Sequence, residues 1–216
     1  MNIAFLGYPG SGKGTQSRVI SGKLGLVHIS FGDIYWGEII KKTPLGQEVS
    51  DYLETGRLVP DWLVMGMLKD RFGKEKRGFL FDGFPRTAEQ AEALDGWLTV
   101  RSSSLDAAVV LKLSEAEASK RLGARRVCPG CGSIFNLLTV PTFMENMCDS
   151  CGGPLKPRDD DKAAALQKRL MVYRDYSEQI FSFYRGNVPI LEVKADQPVP
   201  AVTTQILAQL KAAGVQ

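Results

Sequence analysis

The chain has 216 residues and a mass of 23.7 kDa, long enough to bury a core without disulfide staples. Apolar residues make up 44% and charged residues 24%, an ordinary globular balance that excludes a disordered or collagen-like chain. A net charge of +3 is too modest for a domain built to live on nucleic acid, so any basic patch should be local and aimed at a small anion. The apolar stretch at residues 3–6 is too short for a signal peptide, and no run approaches the roughly 20 apolar residues of a membrane span. A cytoplasmic chain without nucleic-acid or membrane partners is expected, with reduced thiols.

Residues 2–6 predict a short buried strand, followed by a glycine-rich turn at 7–14 and a helix at 15–24. A second short strand is expected at 27–30. Residues 32–73 read as helix in pieces, punctuated by Pro44 and Gly56, with a helix start at Pro60-Asp61. Residues 78–81 form a buried-strand run ending in Asp82, and 87–98 a helix. Residues 107–113 give the clearest strand, with Ser114-Glu115 capping the helix after it. Residues 127–157 change character, with four cysteines and little helical period, as an inserted module would. A long helix at 159–184, a strand at 189–193 and a helix at 199–212 complete the chain. Strands alternating with helices predict an α/β fold, a parallel sheet flanked by helices on both faces. Trp62, Trp97 and the group Phe181, Phe183 and Tyr184 are expected in the core, and His28 as a packed side chain without a catalytic role.

The first turn reads Gly7-Tyr8-Pro9-Gly10-Ser11-Gly12-Lys13-Gly14-Thr15, which fits G-x-x-x-x-G-K with Gly14 where many such loops carry Ser or Thr. Glycines let backbone N–H groups converge on phosphate oxygens with no Cβ in the way, and the following helix aims its positive end at the same place. Lys13 adds a cation for the outer phosphates. A nucleoside triphosphate is therefore the expected ligand, held by Gly10, Ser11, Gly12, Lys13, Gly14 and Thr15. Asp82, at the end of an apolar strand, can hold Mg²⁺ beside the phosphates; the plainer alternative is a turn or helix-capping aspartate.

Cys128-x-x-Cys131 and Cys148-x-x-Cys151, separated by 16 residues, have the spacing of a closed tetrahedral S₄ site. That predicts structural zinc. An iron–sulfur cluster and a pair of disulfides are the alternatives, the latter at odds with a reducing compartment. Zinc ribbons also occur in nucleic-acid binders, a reading that the modest net charge disfavours.

The phosphate loop closely resembles that of adenylate kinases. So does Asp82-Gly83-Phe84-Pro85-Arg86 followed by Gln90. Arg121 with Arg125, Arg158-Asp159-Asp160-Asp161, Arg169 and Thr55-Gly56-Arg57-Leu58-Val59-Pro60-Asp61 recur at that family's spacing. The resemblance implies a P-loop NTPase-type core (residues 1–29, 60–125 and 160–216), a helical monophosphate-binding insertion at 30–59 and a small four-cysteine zinc lid at 126–159. It implies reversible, Mg²⁺-dependent phosphoryl transfer from ATP to AMP giving two ADP, by a monomer. Lys13, Asp82, Arg86, Arg121, Arg125, Arg158 and Arg169 are then the catalytic set, with Arg121 and Arg125 also on ATP. Phe31, Trp36, Arg57, Val59, Gly83, Arg86, Gln90, Arg158 and Arg169 fall to the AMP side, Gln90 at the adenine edge. Such a transfer needs in-line positioning and positive charge rather than acid–base help, and planar guanidinium forks suit it.

The sequence departs from the family pattern at Phe31, where a threonine is usual, and at Trp36, where an arginine normally grips the acceptor phosphate. Losing one charge-assisted hydrogen bond of that kind costs about 1.5–3 kcal/mol, roughly tenfold to a hundredfold in affinity or rate. Three readings follow: a weaker AMP kinase, a nucleoside monophosphate kinase with altered acceptor preference, or an ATP-binding protein with weak or no transfer. The plainer alternative is that Trp36 packs against a neighbouring helix.

Overall fold

In the computed structural model, residues 1–215 are described, apart from the side chain of Asp159. The chain divides into two compact units. The first holds Met1–Phe31, Val59–Leu113 and Val172–Gln216; the second holds Gly32–Leu58 and Ser114–Met171.

The first unit is built on β1 (Asn2–Gly7), β2 (Val27–Ser30), β3 (Phe79–Asp82), β4 (Ala107–Lys112) and β7 (Ile190–Lys194), in the order β2-β3-β1-β4-β7 and parallel throughout. Strand alternation divides the apolar side chains between two faces. On one face, Ile3, Phe5, Leu80, Val109 and Val193 pack with Ile20 of α1 (Lys13–Leu24) and Val202, Ile206 and Leu210 of α8 (Val199–Ala212). On the other, Phe79 meets Phe72 of α4 (Asp61–Phe72) and Trp97 of α5 (Ala88–Val100). Helices on both faces are the arrangement that fully buried parallel strands require. β1 is central and pairs with both β3 and β4, so the loop that leaves it opens where the strand order reverses, the usual ligand position in such sheets.

Three expectations shift in detail. Helix α1 begins at Lys13, earlier than the weak apolar spacing suggested. Thr87 is the N-cap of α5 rather than its first turn, accepting from the Gln90 N–H. Trp62 is not in the core: it is 67% exposed in the first turn of α4, whose buried residues are Val64, Met65, Met67 and Leu68. Trp97 and Tyr184 are buried as expected, but Phe181 and Phe183 are only half-buried.

The second unit contains α3 (Pro44–Glu54), α6 (Glu115–Gly123) and most of α2 (Phe31–Ile40). It also contains the antiparallel hairpin β5 (Arg125–Val127) and β6 (Ile134–Asn136), and a short 3₁₀ turn at Asp159–Asp161. The helix α7 (Ala163–Tyr184) starts in this unit and continues in the first. Thr43 caps α3 ahead of Pro44, and Ser114 caps α6 by accepting from the Glu117 N–H. Gly56 turns the chain after α3 in a left-handed conformation, φ 69°, where a Cβ would come within 2.6 Å of the Ala165 carbonyl oxygen. Only glycine combines that backbone angle with that approach.

Candidate active site

The phosphate loop in the first unit owes its shape to three glycines. Gly7, Gly10 and Gly12 have φ of 141°, 84° and 91°. At Gly7 a Cβ would also lie 2.7 Å from the Leu111 carbonyl oxygen, so the loop could not tuck against β4. Gly12 serves as the N-cap of α1, leaving the first N–H groups of that helix without a side-chain cap. Lys13 reaches back across the loop, its Nζ donating to the carbonyls of Gly7 (2.7 Å) and Tyr8 (2.8 Å). Gln16, 3% exposed, ties α1 to α8, donating to the Val199 carbonyl and accepting from the Thr203 hydroxyl.

Asp82 ends β3 beside this loop. A Cβ on Gly14 would stand 3.3 Å from Asp82 Oδ2, so a small residue at position 14 leaves the carboxylate room to face the loop. The same Oδ2 lies 3.3 Å from His28 Nε2. Gly83 follows with φ 66°, and a Cβ there would meet Lys13 Cε at 3.4 Å and Arg86 Nη2 at 3.6 Å. The glycine thus marks where Lys13 and Arg86 converge. Arg86 is exposed, with Nε donating to the Gly83 carbonyl. Gln90, 2% exposed, accepts from the Arg86 N–H at 2.8 Å and donates to Asp61 Oδ1 at 2.7 Å. Phe31 is buried against Phe84, ring centroids 5.0 Å apart, and Val59 is buried too.

In the second unit, charge replaces backbone as the organising element. Arg125 grips Asp161 with Nε and Nη2 (2.6 and 2.5 Å). Arg158 grips Asp160 the same way (2.9 and 2.8 Å). Arg169 Nη1 reaches both, at 3.0 Å from Asp160 Oδ2 and 2.9 Å from Asp161 Oδ1. Burial tends to raise the Asp160 pKa, but Arg169, Arg158 and Arg125 outweigh it and hold the carboxyl down at about 2. Burial and the repulsion of Arg125 lower the pKa of Arg158. Burial brings Arg169 down to about 10, helped by its guanidinium neighbours and opposed by the two aspartates. Arg125 goes the other way: burial opposes its charge, yet Asp161 raises its pKa. Three guanidiniums crowded together in this way offer N–H donors suited to an anion.

Arg121 is held by Glu117 at 3.1 Å, and its backbone carbonyl accepts from Asn136. Arg57 is exposed, its Cζ 5.0 Å from the Tyr52 ring centroid. Trp36 carries the Arg158 guanidinium over its ring, Cζ to centroid 5.0 Å.

The four cysteine sulfurs lie within 4.8 Å of one another. Two knuckles of one design bring them together. In each, a left-handed glycine, Gly132 or Gly152, donates its N–H to the carbonyl of Cys128 or Cys148. The Sγ atoms of Cys128 and Cys151 are 3.4 Å apart, and those of Cys131 and Cys148 3.5 Å. All four are free thiols, so the disulfide alternative is not the arrangement found. A tetrahedral Zn–S₄ site has edges of about 3.8 Å, so the cluster fits zinc with little adjustment. Gly153 lies against it, where a Cβ would crowd Cys128 Sγ at 3.3 Å.

A family model described as Adenylate kinase matches residues 5–188. The chain is 39% identical over 213 residues to an adenylate kinase of Archaeoglobus fulgidus, covering 98% of each chain. It is 44% identical over 193 residues to one of Clostridium tetani, covering 88% of this chain and 89% of that one. The corresponding enzyme of Thermosipho melanesiensis is 41% identical over 209 residues, 96% of this chain and 98% of its own. The chain belongs to the adenylate kinase family. Its parallel sheet flanked by helices, with the glycine loop after β1, is the fold that membership implies.

Against the residues expected for a member of that family, Lys13, Gly83, Arg86 and Gln90 are brought together with Asp82 in the first unit. Arg125, Arg158, Arg169 and Trp36 are brought together in the second. From sequence, Asp33 and Asp61 have no evident part in the site, and His28 only a packing role. Asp33 acts on Arg125 through its charge, and Asp61 anchors Gln90. His28 stands 54 residues before the carboxylate it meets, a pairing that only strand register reveals. Among the described residues, no helix is long and apolar enough to cross a membrane.

Proposed function

We propose that this chain catalyses reversible phosphoryl transfer from ATP to AMP, giving two ADP. The observation that carries it is the convergence of Lys13 and Arg86 around Gly83, next to a phosphate loop whose Gly14 leaves room for Asp82. As a member of the adenylate kinase family, the chain is a nucleoside monophosphate kinase, a phosphotransferase.

The loop N–H groups and α1 bind the ATP phosphates through Gly10, Ser11, Gly12, Gly14 and Thr15, and Lys13 exchanges its carbonyl partners for an outer phosphate oxygen. Asp82 would hold Mg²⁺, for which an oxygen donor facing the loop is suited; the ion neutralises β- and γ-oxygen charge when bound. Arg121 and Arg125 are assigned to ATP. Arg86 of the first unit and Arg158 and Arg169 of the second are assigned to charge stabilisation of the moving phosphoryl group. Gly83, Gln90, Arg57, Val59 and Phe31 are assigned to the AMP side, with Gln90 at the adenine edge; Trp36, expected there too, meets Arg158 instead. No proton needs moving at the acceptor, already an anionic phosphate oxygen, so the protein's work is alignment and charge.

Residues 30–59 are assigned as the monophosphate-binding insertion and 126–159 as the lid. Cys128, Cys131, Cys148 and Cys151 would hold structural zinc with no open position, so zinc would join the knuckles and do no chemistry. We assign the chain to the cytoplasm, acting as a monomer on small nucleotides.

The test is transfer from Mg-ATP to AMP, GMP, CMP, UMP and dTMP in parallel, with the nucleotides separated afterwards. ADP formation fastest with AMP is the expected result. Preference for another acceptor overturns the AMP assignment. ATP binding without any transfer overturns the catalytic one.

A further inference from the structure

Helix α2 presents two side chains to the arginine–aspartate group of the second unit. Asp33 bears on Arg125 through its charge, and Trp36, one turn later on the same face, lies against Arg158. Arg158 is 8% exposed. Its Nε and Nη2 are both taken by Asp160, at 2.9 and 2.8 Å. The indole covers the flat of the guanidinium, Cζ 5.0 Å from the ring centroid, inside the range of a cation–π contact. Asp160 therefore fixes the edge of the fork and Trp36 its plane.

The indole nitrogen points to the same use of the ring. Trp36 Nε1 is buried and has no hydrogen-bond partner among the described residues. A buried Trp usually satisfies its N–H. Here the ring makes its polar contact through its face, to Arg158. The charges of Arg125, Arg158 and Arg169 already face those of Asp33, Asp160 and Asp161 here. A neutral, electron-rich face holds a guanidinium there without adding repulsion.

From this geometry we infer that Trp36 is a positioning residue: it sets the plane of Arg158, which meets the transferring phosphate, and does not itself bind the acceptor. The inference rests on the proposed function and assigns Trp36 a different task from that of a phosphate ligand.

The experiment measures kcat and KM for AMP in wild type, Trp36→Phe and Trp36→Leu, each with Arg158 intact and with Arg158→Lys, which removes the planar fork. A desolvated cation–π contact predicts a fall of about tenfold in kcat for Trp36→Leu with KM for AMP little changed. Trp36→Phe keeps an aromatic face and loses only an N–H that bonds to nothing, so it should stay within about threefold of wild type. With Arg158→Lys in place, Trp36→Leu should add less than about a twofold effect. Equal damage from Phe and Leu, a loss confined to KM, or full additivity with Arg158→Lys overturns the inference. Stability in urea of the same variants reports the stacking without turnover, and non-additive midpoints are expected. If the wild type transfers phosphate to no acceptor, the proposed function and the positioning role both fail. Additive midpoints together with normal wild-type turnover overturn the inference alone.

Discussion

On the proposed function, the two units prepare for phosphate by different means. In the first, the receptor is mostly backbone: glycine turns, a helix end and one lysine, framed by a sheet whose central strand is fully buried. In the second, it is mostly side-chain charge, with Arg125, Arg158 and Arg169 locked onto Asp160 and Asp161. A backbone receptor is held by the apolar core beneath it, so its fold loses little stability when one side chain changes. A charged receptor holds itself together, so each member is at once ligand and scaffold.

The largest effect should come from breaking the first receptor. Lys13→Met removes its mobile cation, and kcat should fall at least about a hundredfold, as when a preorganised transition-state donor is deleted. Its thermal melting should stay near that of wild type, because the sheet is untouched. A large drop in Tm would mean the loop is scaffold too, and the contrast with the second unit would fail.

Asp160→Asn should do the reverse. It strips a buried charge partner from Arg158 and Arg169 and should cost about 3–5 kcal/mol in urea unfolding. The Asp160 carboxyl sits at about 2 when folded against an ordinary 3.8, so its stabilisation is complete above the ordinary value and is lost as pH falls from there toward 2. The acid limb of the wild-type stability curve should be steeper than that of Asp160→Asn. Identical limbs would show that the network contributes nothing to stability.

Cys148→Ser tests a third, smaller piece. Bound zinc and Tm should decline together, with the apolar cluster of Cys128, Cys148, Leu155 and Phe135 opening first. An unchanged melting curve after metal loss would mean the knuckles close without it.

Legibility in the sequence follows the same divide. The phosphate loop and the cysteine pairs are local: their residues lie within a few positions, and spacing alone carries the geometry. The strands around them were legible because short continuous apolar runs such as residues 107–111, too short for a helix, suit a buried sheet. The hairpin of β5 and β6 was not, since three-residue strands have no readable period. Nor were the ion pairs: Arg125 and Asp161 are 36 residues apart, and nothing in either segment names the other. Trp62 was misjudged because a large apolar side chain suggests burial, whereas its place in the first turn of α4 leaves it off the packed stripe. Trp36 was recognised as a departure, but its stacking on Arg158 depends on a turn more than a hundred residues away.

Lys13 is not idle while the loop waits. Its ammonium already rests on the carbonyl oxygens of Gly7 and Tyr8. An arriving anion must therefore outbid those oxygens, so the loop carries an entry threshold of its own making. The gain from an arriving phosphate is the difference between its contact with the lysine and the two that it displaces, as for any polar group already satisfied before binding.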